Sequence, residues 1–173
     1  MDNDTILTNI SKLGSMSTAI GCEAMRQLET ESGKSKEVYA HLDKLFTLLD
    51  DRNPYARTRA FVLIAKNVSW DSRKKIDRNI DRLLKTVDAE QATTVRQCIQ
   101  SLPLIAAAKP GLRQRIAEAL RAINPEKYPV RMRSILTEDI KIALAASEKK
   151  IFARFERKNL TNGYVCDKLI IPL

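Results

Sequence analysis

Three stretches of the chain carry one apolar pattern. In Lys36–Asp50 the apolar positions are Val38, Leu42, Leu45, Phe46 and Leu49. In Lys75–Val87 they are Ile76, Ile80, Leu83, Leu84 and Val87, and in Leu112–Ile123 they are Leu112, Ile116, Ala119, Leu120 and Ile123. Each set runs i, i+4, i+7, i+8, i+11, one face of a helix with 3.6 residues per turn. Val38 superposes on Ile76 and Ile76 on Leu112, and the other four positions follow without a gap, which marks an internal repeat. Polar residues fill the remaining positions, so each stretch predicts a helix with one buried face.

The segments between them repeat less closely. Ala56-Arg57-Thr58-Arg59-Ala60-Phe61 aligns with Val130-Arg131-Met132-Arg133-Ser134-Ile135, and Val95-Arg96-Gln97-Cys98-Ile99 lies between. The unit is then two helices in about 37 residues, near the length of two-helix solenoid repeats. Pro54 suits the first turn of a helix, where its missing N–H has no partner to lose. Asp71-Ser72 offers an N-cap, Pro110-Gly111 and Asn124-Pro125 fall between units, and Pro103 predicts a kink in the middle copy. Two further helices are expected over Asp4–Leu13 and Ser17–Thr30, and another over Ser147–Asn159. A tail over 161–173 follows a single domain over 1–160.

Asp51-Arg52-Asn53-Pro54-Tyr55-Ala56-Arg57-Thr58-Arg59-Ala60 resembles the opening of a HEAT repeat, Asp-x-x-Pro-x-(Val/Ala)-Arg-x-x-Ala. Val95-Arg96 and Val130-Arg131 keep its Val-Arg core, and the resemblance spans roughly residues 36–146. It implies an all-α fold, a right-handed α–α superhelix of about four helical pairs with atypical ends. It also implies that Arg57, Arg96 and Arg131 form a structural ladder at the junctions between repeats, with Asp51 and Asp88 as acidic partners. Arg59 and Arg133, two residues further on, are expected to be solvated charge. The chain is also similar to small bacterial HEAT-like proteins that carry a SufB/SufD-type iron–sulfur assembly label, although nothing in it predicts the stacked short strands of a β-helix.

Charge sharpens this picture. The formal net charge is +9, and it is unevenly spread. Residues 1–50 hold 5 Lys/Arg against 8 Asp/Glu, whereas residues 51–173 hold 25 against 13. In HEAT-like pairs the second helices line a concave surface. Here their non-core positions include Tyr39, Arg78, Arg82, Lys85, Arg113 and Arg121, the candidate partner-binding residues. Shifts of one repeat place Thr47, Lys85 and Arg121 in one row. A partner that is acidic or extended fits such a row. Nucleic acid is the alternative, although Asp77 and Asp81 interrupt the cations and would oppose a phosphate backbone. The segment SEKKIFARFERK (147–158) reads as a basic amphipathic helix suited to cap the last repeat.

Catalytic chemistry finds little footing. His41 is the only histidine, with no nucleophile motif beside it. Cys22, Cys98 and Cys166 are odd in number and widely spaced, with no metal-ligand spacing, which predicts a reducing, cytoplasmic compartment. No glycine-rich phosphate loop occurs, and no apolar run reaches the ~18 residues that span a bilayer. Trp70-Asp71 invites comparison with HEAT-like alkylpurine DNA glycosylases, but a lone Trp is expected to anchor the turn between helices. The expected function is a non-enzymatic scaffold without cofactor or metal. A nucleic-acid module and an iron–sulfur assembly accessory factor stand as the other two readings.

Overall fold

The computed structural model describes residues 1–87 and 91–148. Among these the chain is all-helical, with no strand. The helices are α1 (Asn3–Lys12), α2 (Thr18–Ser32), α3 (Glu37–Ala40), α4 (Leu42–Leu48) and α5 (Pro54–Lys66), followed by α6 (Lys75–Arg78), α7 (Ile80–Lys85), α8 (Ala92–Ala108), α9 (Arg113–Ala122) and α10 (Val130–Glu148). Short 3-10 turns occupy Val68–Trp70, Pro110–Leu112 and Pro125–Lys127. Asp88 and residues 149–173 lie outside the described residues, and with them Cys166, the 161–173 tail and nearly all of the amphipathic 147–158 segment.

The helices fall into two layers. The longer helices α2, α5, α8 and α10 pack in succession, each against the next. Outside them run α1 against α2, α4 against α5, and α9 against α10. The apolar faces that repeat in the sequence point into the space between the layers. Val38, Leu42, Leu45, Phe46, Leu49, Ile76, Ile80, Leu83, Val87, Leu112, Ile116 and Leu120 are all buried in one continuous core. Leu84 and Ile123 pack against its edge.

α5 is the centre of the core. Nine of its side chains are buried, Phe61, Leu63 and Ile64 among them. Asn53 caps its start, its Oδ1 accepting from Tyr55 N–H at 3.0 Å, and Pro54 takes the first turn. Thr58, the one neutral polar side chain buried on this helix, turns its hydroxyl back to Pro54 O at 2.9 Å. α8 continues through Pro103 from Ala92 to Ala108 as one helix.

Two of the three repeated helices are interrupted. The first breaks at His41 and the second at Asn79, equivalent positions under the shift that carries Val38 onto Ile76, so the break itself belongs to the repeat. At both points the backbone tightens to an i−3 bond, His41 N–H to Val38 O and Asn79 N–H to Ile76 O. The Asn79 amide also donates to Lys75 O at 2.9 Å, competing for a helix carbonyl.

Candidate partner-binding face

The short-helix layer is held in register by ion pairs that cross from one helix to the next. Lys75 at the start of α6 reaches Asp43 of α4 at 2.6 Å, and Arg82 of α7 pairs with Asp50 just beyond α4. Arg115 of α9 pairs with Asp81 of α7. Asp43 and Asp81 are equivalent under the same repeat shift, so the acidic half of the rung recurs at both junctions, while its cation moves, Lys75 mapping onto Arg113 rather than Arg115. The acid of each pair is exposed to solvent, and each pair is worth a few tenths of a kcal/mol, up to about 1. Their effect is to align helices rather than to hold the fold together.

The junction beneath is built differently. The Asp71 carboxylate is fully buried and accepts from Tyr39 Oη–H at 2.9 Å, Lys75 N–H at 2.9 Å and Ile76 N–H at 3.0 Å, with Lys109 Nζ 3.0 Å away. It therefore caps α6 while joining α3 to the end of α8. Burial works to raise the Asp71 carboxyl, and the bonds from Lys109, the two backbone amides and Tyr39 outweigh it, leaving the group below its usual value. Burial likewise works to lower Lys109, but Asp77 at 2.8 Å and Asp71 hold it above its usual value. Trp70 anchors the same turn, its indole N–H donating to Ser32 O at 2.8 Å at the end of α2. Asn67 adds a bond to Ser32 Oγ at 2.8 Å.

These networks redistribute the expected site residues. Tyr39, expected on the partner-binding surface, is buried and spends its hydroxyl on Asp71. Arg82 stands half-buried in its pair with Asp50. Arg78 is exposed and donates to Arg73 O at 3.2 Å, while Arg113 is half-buried and donates from Nε to Ala106 O at 3.0 Å. Lys85 and Arg121 are exposed. Of the expected set, Arg78, Lys85 and Arg121, on α6, α7 and α9, are exposed. Residues 71–87 contribute six basic against three acidic residues and residues 109–127 five against two, whereas residues 36–50 carry two against three.

The junction arginines also differ from the expected ladder. Arg57 Nη1 donates to the carbonyls of Asp51 at 2.8 Å and Arg52 at 3.2 Å, not to the Asp51 carboxylate, which accepts from Asn53 N–H instead. Arg96 pairs with Asp139 and so ties α8 to α10. Arg131 is exposed, and the third copy of the Arg57 contact comes from Arg133, whose Nε donates to Tyr128 O at 3.0 Å and whose guanidinium pairs with Glu126. Arg133 is the equivalent of Arg57 after two applications of the shift that relates Val38 to Ile76. With Arg78 and Arg113, four arginines reach back along the chain to backbone carbonyls, three in the connections between helices and one, Ala106 O, in the last turn of α8. That is why arginine stands at the start of helices about to be buried: its fork serves orphan carbonyls while its stem lies along apolar surface.

Arg59 departs furthest from expectation. It is 3% exposed, beneath the start of α5, and its Nη1 donates to Leu13 O at 2.7 Å. Its Nε and Nη2 are buried without an acceptor among the described residues. The aligned pattern could point to Arg57 but not to Arg59, because its partners, Leu13 and Gly21, lie in the N-terminal segment outside the repeat.

Cys22 and Cys98 are buried free thiols, and burial pushes the Cys98 thiol up, away from thiolate chemistry. His41 Nε2 lies 2.8 Å from Asn3 Oδ1. Among the described residues no group of three His, Cys, Asp or Glu side chains is placed to hold a metal ion, and no helix is long and apolar enough to cross a membrane. The chain matches no family model, no curated protein and no solved structure.

Proposed function

We propose that the protein is a non-enzymatic helical-repeat scaffold, HEAT-like in its arrangement, which holds an acidic, extended protein segment along its short-helix layer. The observation that supports this most is the pairing of exposed cations with a frame that fixes their spacing. Arg78, Lys85 and Arg121 stand on helices joined by ion pairs whose acid recurs, Asp43–Lys75 and then Asp81–Arg115 one repeat later. Cations so spaced would read acidic side chains at intervals along an extended chain, each contact rim-exposed and modest, the sum specific.

Nucleic acid is the second reading, and one observation favours it. Asp77 and Asp81, which interrupt the cationic row in the sequence, are engaged by Lys109 and Arg115. Their charge is therefore partly compensated within the protein, and they oppose a phosphate backbone less than their positions alone suggest.

Fluorescence anisotropy separates the two. A labelled peptide rich in Glu and Asp and a labelled DNA duplex of similar length are titrated with the full chain across a salt series. The scaffold reading expects saturable peptide binding at physiological salt that falls about tenfold on Arg78→Glu/Lys85→Glu. Binding of the duplex alone, with a steep salt dependence removed by the same changes, would replace it with the nucleic-acid reading.

A further inference from the structure

The leading ends of α3 and α6 carry a repeated feature that the fold does not use. Lys36 stands at the N-cap of α3 and Lys74 at the N-cap of α6. The shift that carries Val38 onto Ile76 carries Lys36 onto Lys74, so the two lysines are equivalent positions of successive repeats. An N-cap is ordinarily filled by a side chain that accepts from the first helical amides, and an ammonium accepts nothing. In both copies a neighbour does that work. Ser35 Oγ accepts from Glu37 N–H at 3.3 Å, and the Asp71 carboxylate accepts from Lys75 N–H and Ile76 N–H. Both lysines are exposed, and neither side chain has a hydrogen bond or ion pair among the described residues.

Lys74 also stands where its own backbone is strained. Its φ of 52° and ψ of 34° lie in the left-handed region, which glycine enters freely and a side chain disfavours. Among the described residues it is the only one with positive φ, and none of the described glycines uses that freedom. The connection around it holds the conformation. Asp71 ties the start of α6 to Tyr39 and Lys109, and the Arg78 guanidinium donates to Arg73 O at 3.2 Å. Lys74 is therefore presented from a loop that the buried network fixes. A lysine kept where glycine would be less strained, without a bond in the fold and matched by a lysine one repeat earlier, points to a use outside the chain.

We propose that Lys36 and Lys74 are contact residues for the acidic, extended protein segment, a row that crosses from one repeat to the next; this rests on the scaffold reading above. The Tyr39–Asp71 bond and the Lys75–Asp43 pair bring the two repeats together beneath it. Packed helices lie about 8–10 Å apart, and an extended chain advances about 3.3 Å per residue. A segment crossing from α6 to α3 therefore meets one lysine with each acidic residue when the acids are spaced about three residues apart. The periodic pattern of the buried faces gave no sign of this row, because both lysines lie just before the apolar positions begin.

The test is fluorescence anisotropy with the full chain and two labelled peptides of equal length and equal Glu content, one with Glu at every third position and one with Glu in a single block. The spaced peptide should bind several-fold more tightly, and Lys36→Gln/Lys74→Gln should weaken its binding about fivefold and remove most of that preference. Lys74→Gly separates binding from folding, since it relieves the left-handed backbone while removing the side chain. Its thermal unfolding midpoint should not fall, whereas its affinity should fall about two- to threefold. Lys74→Arg keeps the charge and should bind as the unaltered protein does. Full affinity for the spaced peptide in Lys36→Gln/Lys74→Gln and in Lys74→Gly, with Arg78→Glu/Lys85→Glu still weakening it, would overturn this inference and leave the scaffold reading in place. Affinity unchanged in all of these variants, or binding of a DNA duplex alone, would overturn both.

Discussion

The two layers of helices solve different problems. In the long-helix layer α5 is enclosed on nearly every side, and its buried Thr58 hydroxyl and Arg59 Nη1 bond to backbone. In the short-helix layer each helix buries one face and is aligned by exposed ion pairs and a buried carboxylate network. Apolar burial is worth kilocalories per side chain and carries no address, whereas exposed charge is worth tenths and carries a great deal. The most enclosed side chains therefore belong to one layer, and the exposed cations on which the proposed function rests stand on the other. A substitution that costs the fold should leave the cationic pattern alone, and the reverse.

The largest effect is expected at the centre of the enclosed layer. Phe61→Ala removes a fully buried ring from α5 and should cost about 3–5 kcal/mol of unfolding free energy in urea denaturation. A loss below about 1 kcal/mol would mean that α5 is not the core of the structure.

The next tests the hinge between the layers. Asp71→Ala strands the Tyr39 hydroxyl, two α6 amides and half of the Lys109 pairing, and should cost about 3 kcal/mol. The pH dependence follows from the directions of the two groups. The Asp71 carboxyl lies below its usual value in the fold, so its contribution is present above the unfolded value of ~4 and is lost as pH falls through the folded one. Lys109 lies above its usual value, so its contribution is present below about 10.4 and is lost as pH rises through the folded one. Asp71→Asn should flatten the acid limb of a stability-versus-pH curve, and an unchanged limb would remove Asp71 from this role.

Glu29 offers a smaller effect of opposite sign. Its Oε1 is buried without a partner among the described residues, and burial raises the carboxyl despite the charge of Lys66. A raised carboxyl contributes stability at low pH that is lost as pH rises through its folded value. Glu29→Gln should therefore stabilise the protein at pH 7 by roughly 0.5–1 kcal/mol and leave it unchanged near pH 3.

Smallest is the ladder of exposed ion pairs across the short-helix layer. Asp50→Ala or Arg82→Ala should each cost about 0.5 kcal/mol or less, with a double-mutant cycle returning a coupling of that order which shrinks at high salt. A coupling of several kcal/mol would make the ladder a structural brace and blur the division between layers.

What could be read from the sequence follows the same division. The buried faces of the repeated helices were legible residue by residue, because apolar burial imposes a period that any helix must show. Asp71 as a cap and Trp70 as an anchor were also legible, being local to one turn. Arg133 and the Asp43–Asp81 rung were discoverable at the shift that relates the first two apolar faces, but the Val-Arg match drew the alignment to Arg131 instead. Tyr39 was misplaced because a tyrosine off the apolar stripe looks like surface until a buried carboxylate claims its hydroxyl. Arg59 was beyond reach: its environment is made by Leu13 at the end of α1 and Gly21 in α2, and no pattern within α5 announces them.

The most direct test of the division between layers measures stability and binding on one variant. Arg78→Glu/Lys85→Glu is compared with the unaltered protein for its thermal unfolding midpoint and for its affinity toward the labelled acidic peptide. Separate layers predict a midpoint within a degree or two and an affinity at least about tenfold weaker. A large fall in the midpoint, or peptide binding that survives the reversal of both charges, would contradict it.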